Sequence, residues 1–72
     1  MTNEILRKAI TKANLKYWQY ADLIAWHPSA LSRFLRYEMP QSVQEKAARE
    51  IDEYQTGQAV HFSALNEYNE WQ

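Results

Sequence analysis

The amino-acid sequence predicts an all-α fold of four to five short helices. Apolar residues recur three and four positions apart along successive segments, which is the spacing of helices that each bury one face. Two prolines and a single glycine divide those segments and leave little material for long loops. The 72 residues are 46% hydrophobic and contain no Cys. The fold therefore depends on apolar packing, alone or with a partner chain, because no disulfide or zinc–thiolate site can support it.

The first helix is predicted over residues 3–13. Thr2 is its expected N-cap, and Glu4 lies in the first turn, where the helix dipole favours a carboxylate. Asn14 is expected to end the helix, because Asn tolerates the left-handed conformation found after helix C-termini. One apolar face is expected to point into the core and consists of Ile5, Leu6, Ala9, Ile10 and Ala13.

Two shorter helices are predicted next, over residues 17–25 and 29–37. A break separates them, because Pro28 has no N–H and disfavours a helical conformation at His27. The inner faces are expected to contain Tyr20, Ala21 and Ile24 in the first of them, and Leu31, Phe34 and Leu35 in the second. The outer face of the second displays Ser29, Ser32, Arg33 and Arg36.

A longer helix is predicted over residues 40–56. Pro40 suits its first turn, and Gly57 suits its C-cap. The inner stripe is expected to consist of Val43, Ala47, Ile51 and Tyr54. The carboxylates of Glu50, Asp52 and Glu53 are expected on a solvated face rather than in a cluster for acid–base chemistry.

Residues 1–57 are expected to form the folded domain, with residues 58–72 as a C-terminal tail. Val60 and Phe62 alternate as in a strand, but the apolar tail residues spaced three apart suit a short amphipathic helix: Phe62, Leu65, Tyr68 and Trp71. We expect the helix, with Ser63 near its N-cap, because no other segment offers a partner strand. The four apolar side chains either fold back on the domain or pack against a second copy of the chain.

Residues 17–36 have the pattern of a helix-turn-helix, in which two short helices cross and the second presents polar side chains outward. The motif needs a small residue in the middle of its first helix, and Ala21 lies there. It also needs an apolar residue in the turn, which Trp26 supplies. Two apolar anchors three positions apart complete the pattern in the second helix, at Leu31 and Phe34.

The same stretch resembles the small helix-turn-helix proteins of the Cro/phage-repressor (XRE-like) family found in Gram-positive phages and integrative elements. The matching motifs are Leu15-Lys16-x-Trp18-Gln19-x-Ala21 and Leu35-Arg36-x-Glu38-x-Pro40. The resemblance covers residues 3–56 and excludes the tail. The family usually has Gly where this chain has Ala25, and Gln where it has Tyr17. The resemblance implies a bacterial or phage protein that binds double-stranded DNA sequence-specifically and regulates transcription or a mobile element.

The resemblance also implies roles for individual residues. The second helix of the motif would enter the major groove, where Arg33 is the best candidate for a bidentate contact to guanine. The other expected base contacts are Ser29 and Ser32, with His27 and Ala30 at the groove edge. The expected phosphate contacts are Arg36, Lys16 and Tyr17, with Lys12 assisting. A homodimer is implied, with residues 40–56 and the tail residues Phe62, Leu65, Tyr68 and Trp71 as its surface.

The distribution of charge leaves a second function open. The net charge is −1, but residues 1–36 carry six basic against two acidic residues, whereas residues 37–72 carry two against seven. The first half suits a polyanion and the second does not. The near-neutral total, the acidic second half and Tyr17 favour a protein-binding module of a phage or mobile element, such as an anti-repressor or an inhibitor of a host enzyme. A purely structural oligomeriser is supported by the aromatic tail alone.

Catalytic, metal and membrane functions are not expected. The sequence has no Gly-rich phosphate loop, no Ser-His-Asp set and no metal-ligand spacing, so we expect no enzyme and no cofactor. His27 and His61 are expected to have surface or capping roles, and Trp18 and Trp26 are expected in the core rather than in a base-stacking platform. The chain contains no run of eighteen apolar residues, and its N-terminal stretch lacks the apolar core of a signal peptide, so a cytoplasmic location is expected.

Overall fold

The computed structural model describes residues 2–70, which form five helices. The helices are α1 (Glu4–Lys12), α2 (Tyr17–Leu23), α3 (Pro28–Phe34), α4 (Gln41–Gln55) and α5 (Ala64–Glu70). The described range contains no strand, so the all-α prediction is confirmed and the tail contains the expected helix. None of the helices within residues 2–70 is both long and apolar enough to cross a bilayer.

One core joins all five helices. Helix α4 packs against α1 on one side and against α5 on another, while α2 packs against α3. The buried apolar residues are Leu6, Ile10, Tyr20, Ala21, Ile24, Leu31, Leu35, Met39, Ala47, Ile51, Ala64 and Leu65. Phe62 and Tyr68 pack against this cluster, so the tail folds back on its own chain. Trp71, the fourth apolar tail residue, lies outside the described residues.

Three helices end in the same hydrogen-bonded motif. Asn14, Ala25 and Gly57 follow α1, α2 and α4 with φ values of 60°, 64° and 86°. In each case the next residue donates its N–H to a carbonyl five positions back, as Trp26 N does to Ala21 O at 2.8 Å. This is the Schellman arrangement, which satisfies the last carbonyls of a helix. The predicted stops at Asn14 and Gly57 are confirmed, and Ala25 adopts the left-handed conformation at a cost of about 1 kcal/mol.

The first and third helices differ from their predicted ends. The N-cap of α1 is Asn3 rather than the predicted Thr2. The Asn3 backbone is left-handed (φ 57°), and its side chain makes no capping hydrogen bond to the helix. Helix α3 ends at Phe34, three residues earlier than predicted. The end of α3 is fixed by α1 and the two residues before it. The Leu35 carbonyl accepts hydrogen bonds from Thr2 Oγ1 (2.7 Å), Asn3 Nδ2 (2.9 Å) and Arg7 Nη2 (3.2 Å). Arg36 therefore lies in the turn after α3.

A buried amide network fixes the segment between α3 and α4. Asn3 Oδ1 accepts a hydrogen bond from Met39 N at 2.8 Å, and Gln44 Nε2 donates to Met39 O at 2.9 Å. Glu38 links the two amides, because it accepts from Asn3 N and from Gln44 Nε2, both at 2.8 Å. These two hydrogen bonds lower the pKa of the Glu38 carboxyl below its usual range. Glu38, part of the motif that resembles the XRE-like family, thus has a structural role here.

Several predicted environments are wrong. Glu50 is 6% exposed rather than solvated, and its carboxylate accepts hydrogen bonds from Ser63 N (3.1 Å) and Ala64 N (3.2 Å) at the start of α5. Ser63 takes the predicted N-cap position, but the acceptor there is Glu50 from the neighbouring helix. Trp18 is 55% exposed, so its predicted place in the core is wrong, whereas Trp26 packs against the core as expected. Tyr54 is 41% exposed at the margin of the α4 stripe.

Candidate nucleic-acid interface

Helices α2 and α3 and the residues between them form a compact helix–turn–helix unit. Each helix has seven residues, and residues 24–27 connect them. Ala21, in the middle of α2, is fully buried, which allows the close approach that the motif requires. Leu31 is buried beneath α3, and Phe34 packs against the core at the end of that helix. The packing residues that the sequence predicted for this unit are therefore in place.

The outer face of α3 carries the predicted base-contacting side chains. Ser29, Ser32 and Arg33 are exposed along the helix, and Arg36 is exposed in the turn that follows. Within residues 2–70 the ion pairs are Lys8–Glu4 and Lys46–Glu67, and neither arginine takes part in one. Both guanidinium groups are therefore accessible to an anionic partner.

His27 caps α3 instead of lying free at its edge. Its Nδ1 accepts a hydrogen bond from Ser29 N at 3.2 Å and lies 2.8 Å from Ser29 Oγ. Pro28 occupies the first helical position, where a missing N–H costs nothing. The capping role expected for His27 is confirmed, because its side chain accepts the free backbone N–H of Ser29 in the first turn of α3. Any base contact by Ser29 must share its hydroxyl with this cap.

The predicted phosphate contacts at the start of α2 lie in an organised segment. Lys16 is exposed, and its backbone N donates to Gln19 Oε1 at 2.8 Å. Tyr17 is 37% exposed, and its hydroxyl accepts a hydrogen bond from Arg7 Nη1 at 3.1 Å. The Arg7 guanidinium also lies 5.7 Å from the centre of the Tyr17 ring, within the range of a cation–π contact. The Tyr17 hydroxyl hydrogen stays available to a phosphate oxygen.

Arg7 is the residue of this region that sequence reasoning missed. Its Nε donates to Thr2 O at 2.6 Å and its Nη2 to Leu35 O at 3.2 Å, so its side chain ties the start of α2 to the end of α3. Two of its acceptors are backbone carbonyls, which leave no mark in a sequence. Lys12 is exposed and lies with Arg7 and Tyr17 along a groove between α1 and α2.

Ala30 has a different environment from the one expected. It is half-buried and lines a shallow groove with Trp26, Phe34 and Asn69, on the side of α3 that faces α5. Ser29 and Ser32, which are exposed, are therefore better candidates than Ala30 for a contact at the edge of the DNA major groove.

Comparison with protein-family models, with curated proteins and with solved structures finds no significant match to this chain.

Proposed function

We propose that this chain binds double-stranded DNA by inserting α3 into the major groove, and that it regulates transcription or a mobile element. The observation that supports this most is the outer face of α3, which presents Ser32 and Arg33 to solvent, with Arg36 beside them. Both arginines lack an acidic partner in the described part of the chain. In this proposal Arg33 makes a bidentate contact to guanine, which a guanidinium group can form, and Arg36 contacts a phosphate.

A selection from a random duplex library, followed by titration of the selected duplex at several salt concentrations, tests this proposal. Arg33→Ala should lower affinity for the selected sequence by about 1–3 kcal/mol and affinity for random duplex much less, because it removes a base contact. Arg36→Ala should weaken all duplexes and reduce the slope of log K against log salt by about one. Arg49→Ala, which removes an exposed arginine from α4, is the matched control. Binding that both Arg33→Ala and Arg36→Ala retain at full strength would refute the proposal.

A protein-binding module is the second candidate, and exposed aromatic side chains favour it. Trp18 is 55% and Tyr37 is 75% exposed, and aromatic residues of this kind are enriched at protein interfaces. The net charge of −1 also weakens general attraction to DNA. This candidate predicts a complex with a host protein that Trp18→Ala disrupts, together with no salt-sensitive binding to duplex DNA.

A homodimer belongs to the first proposal, because a single α3 offers few base contacts. Leu65 is buried in the core, and Phe62 and Tyr68 pack against it, so within residues 58–70 the apolar tail residues predicted for the dimer surface are already packed against their own chain. The outer side of α4 is the remaining candidate surface. Sedimentation of the intact chain, with and without its selected duplex, measures the oligomeric state. Removal of residues 58–72 is unsuitable for this purpose, because it would take Leu65 out of the core.

A further inference from the structure

One side chain of α5, Asn66, forms hydrogen bonds with the turn of the helix-turn-helix. Asn66 Oδ1 accepts a hydrogen bond from Trp26 Nε1 at 2.7 Å. Asn66 Nδ2 donates to Ile24 O at 3.2 Å and to Phe62 O at 3.3 Å. Trp26 and Ile24 both belong to the connection between α2 and α3. A single amide from the tail thus satisfies one donor and one acceptor on the turn that sets how those two helices cross.

An aromatic chain links the same helix to the end of α3. The rings of Trp26 and Phe34 meet edge to face with their centres 4.9 Å apart. The rings of Phe34 and Tyr68 meet in the same way at 5.8 Å. Helix α5 therefore touches α3 at its last residue through Tyr68, and touches the turn before α3 through Asn66.

Helix α5 is itself held by α4, so it can act as a fixed support. The buried Glu50 carboxylate caps its first turn, and Lys46 Nζ lies 2.6 Å from Glu67 Oε1. Ala64 and Leu65 are buried in the common core. The turn that α5 supports contains Ala25 in the left-handed conformation (φ 64°), which persists only when surrounding contacts over-determine it.

We propose that Asn66 is a positioning residue for DNA recognition, which holds Trp26 and thereby fixes the direction in which α3 projects. This inference rests on the proposed function, since positioning matters for a helix that reads base edges. Base contacts need side chains placed within about 0.5 Å, whereas phosphate contacts tolerate more movement. Loss of Asn66 should therefore reduce discrimination between sequences more than it reduces binding to DNA in general.

Asn66→Ala tests this, with Glu70→Gln, at an exposed position one turn further along the same helix and outside the groove that Trp26 lines, as the control. Hydrogen exchange of the Trp26 indole N–H should become about tenfold faster in Asn66→Ala and stay unchanged in Glu70→Gln. The ratio of affinities for selected and random duplex should fall about tenfold in Asn66→Ala only. A merely stabilising role would lower both affinities by the same folded fraction and leave the ratio unchanged.

Trp26→Phe provides a second variant, because it removes the indole N–H and keeps an aromatic ring against Phe34. Its affinity ratio should fall in the same direction. The double variant with Asn66→Ala should be within about twofold of the worse single variant, since both single changes remove the hydrogen bond between Trp26 Nε1 and Asn66 Oδ1. Additive losses, or an unchanged ratio and unchanged exchange in Asn66→Ala, would overturn the inference. If the unaltered chain shows no preference among duplexes, the proposed function fails, and indole exchange alone decides whether Asn66 holds the turn.

Discussion

Tyr20→Phe should stabilise this domain, because the Tyr20 hydroxyl is buried and forms no hydrogen bond within residues 2–70. Tyr20 is fully buried, and among residues 2–70 no atom forms a hydrogen bond with its hydroxyl oxygen. An unsatisfied buried hydroxyl costs about 1–3 kcal/mol. Phe keeps the ring in its edge-to-face contact with Phe62 and leaves a void of about 10 Å³, which costs about 0.3 kcal/mol. The expected net gain in the free energy of unfolding is about 1–3 kcal/mol.

The gain should depend on pH in a defined direction. Burial raises the pKa of Tyr20 well above its ordinary value of 10.0, and the nearby Glu50 carboxylate raises it further. The unfolded chain therefore ionises Tyr20 first, so the domain loses stability as pH rises above about 10. Tyr20→Phe has no phenol to ionise at this position. The difference in stability between the variant and the unaltered chain should be constant below about pH 9 and widen above pH 10.

Urea unfolding followed by circular dichroism measures both effects. At neutral pH the midpoint should rise with an unchanged m-value, and the melting temperature should rise by at least about 4 °C. Tyr54→Phe removes a hydroxyl from a tyrosine that is 41% exposed, and should change stability by less than about 0.5 kcal/mol. A Tyr20→Phe variant that is less stable than the unaltered chain would show that the hydroxyl is hydrogen-bonded in the folded state.

Three further changes test the supports of the fold by chemical denaturation. Glu50→Gln should destabilise the domain by about 1–3 kcal/mol, because it removes the charged acceptor for Ser63 N and Ala64 N; Glu53→Gln on the exposed side of α4 is its control. Ala25→Gly should stabilise the domain by about 0.5–1 kcal/mol, because glycine adopts the left-handed conformation without the strain of a Cβ. A loss of stability in this variant would show that the turn is not left-handed in solution. The pKa of Glu38 is lowered in the folded state, so this carboxylate contributes stability above pH 4.5 and the contribution is lost as pH falls below that value. Glu38→Gln should therefore make the domain less sensitive to acid. An unchanged midpoint of acid unfolding would contradict the hydrogen-bond network around Glu38.

The helices could be predicted from the sequence because their signals are local. Apolar spacing located all five, and the stops at Asn14 and Gly57 follow from the conformations that Asn and Gly tolerate. The end of α3 could not be predicted, because the groups that fix Leu35 O lie 28 to 33 positions away in the chain. Glu50 was misplaced for the same reason, since its partners lie on another helix.

The candidate site divides in the same way. The outward positions of Ser32 and Arg33 follow from helical spacing alone, and the cap at His27 follows from the proline after it. Arg7 donates hydrogen bonds to backbone carbonyls, and Asn66 accepts one from an indole 40 positions away. No rule of residue spacing predicts such contacts. The helix-turn-helix spacing predicts Trp18 in the core, but α2 turns that position outward and leaves its side chain 55% exposed.

The most direct test of α3 as the DNA-reading helix is a titration of the ¹⁵N-labelled chain with its selected duplex, followed by amide chemical shifts. We predict that the shifts concentrate on residues 28–36, with a second group at Lys16 and Tyr17. Shifts confined to α4 or to the surroundings of Trp18 and Tyr37, with α3 unaffected, would contradict the account.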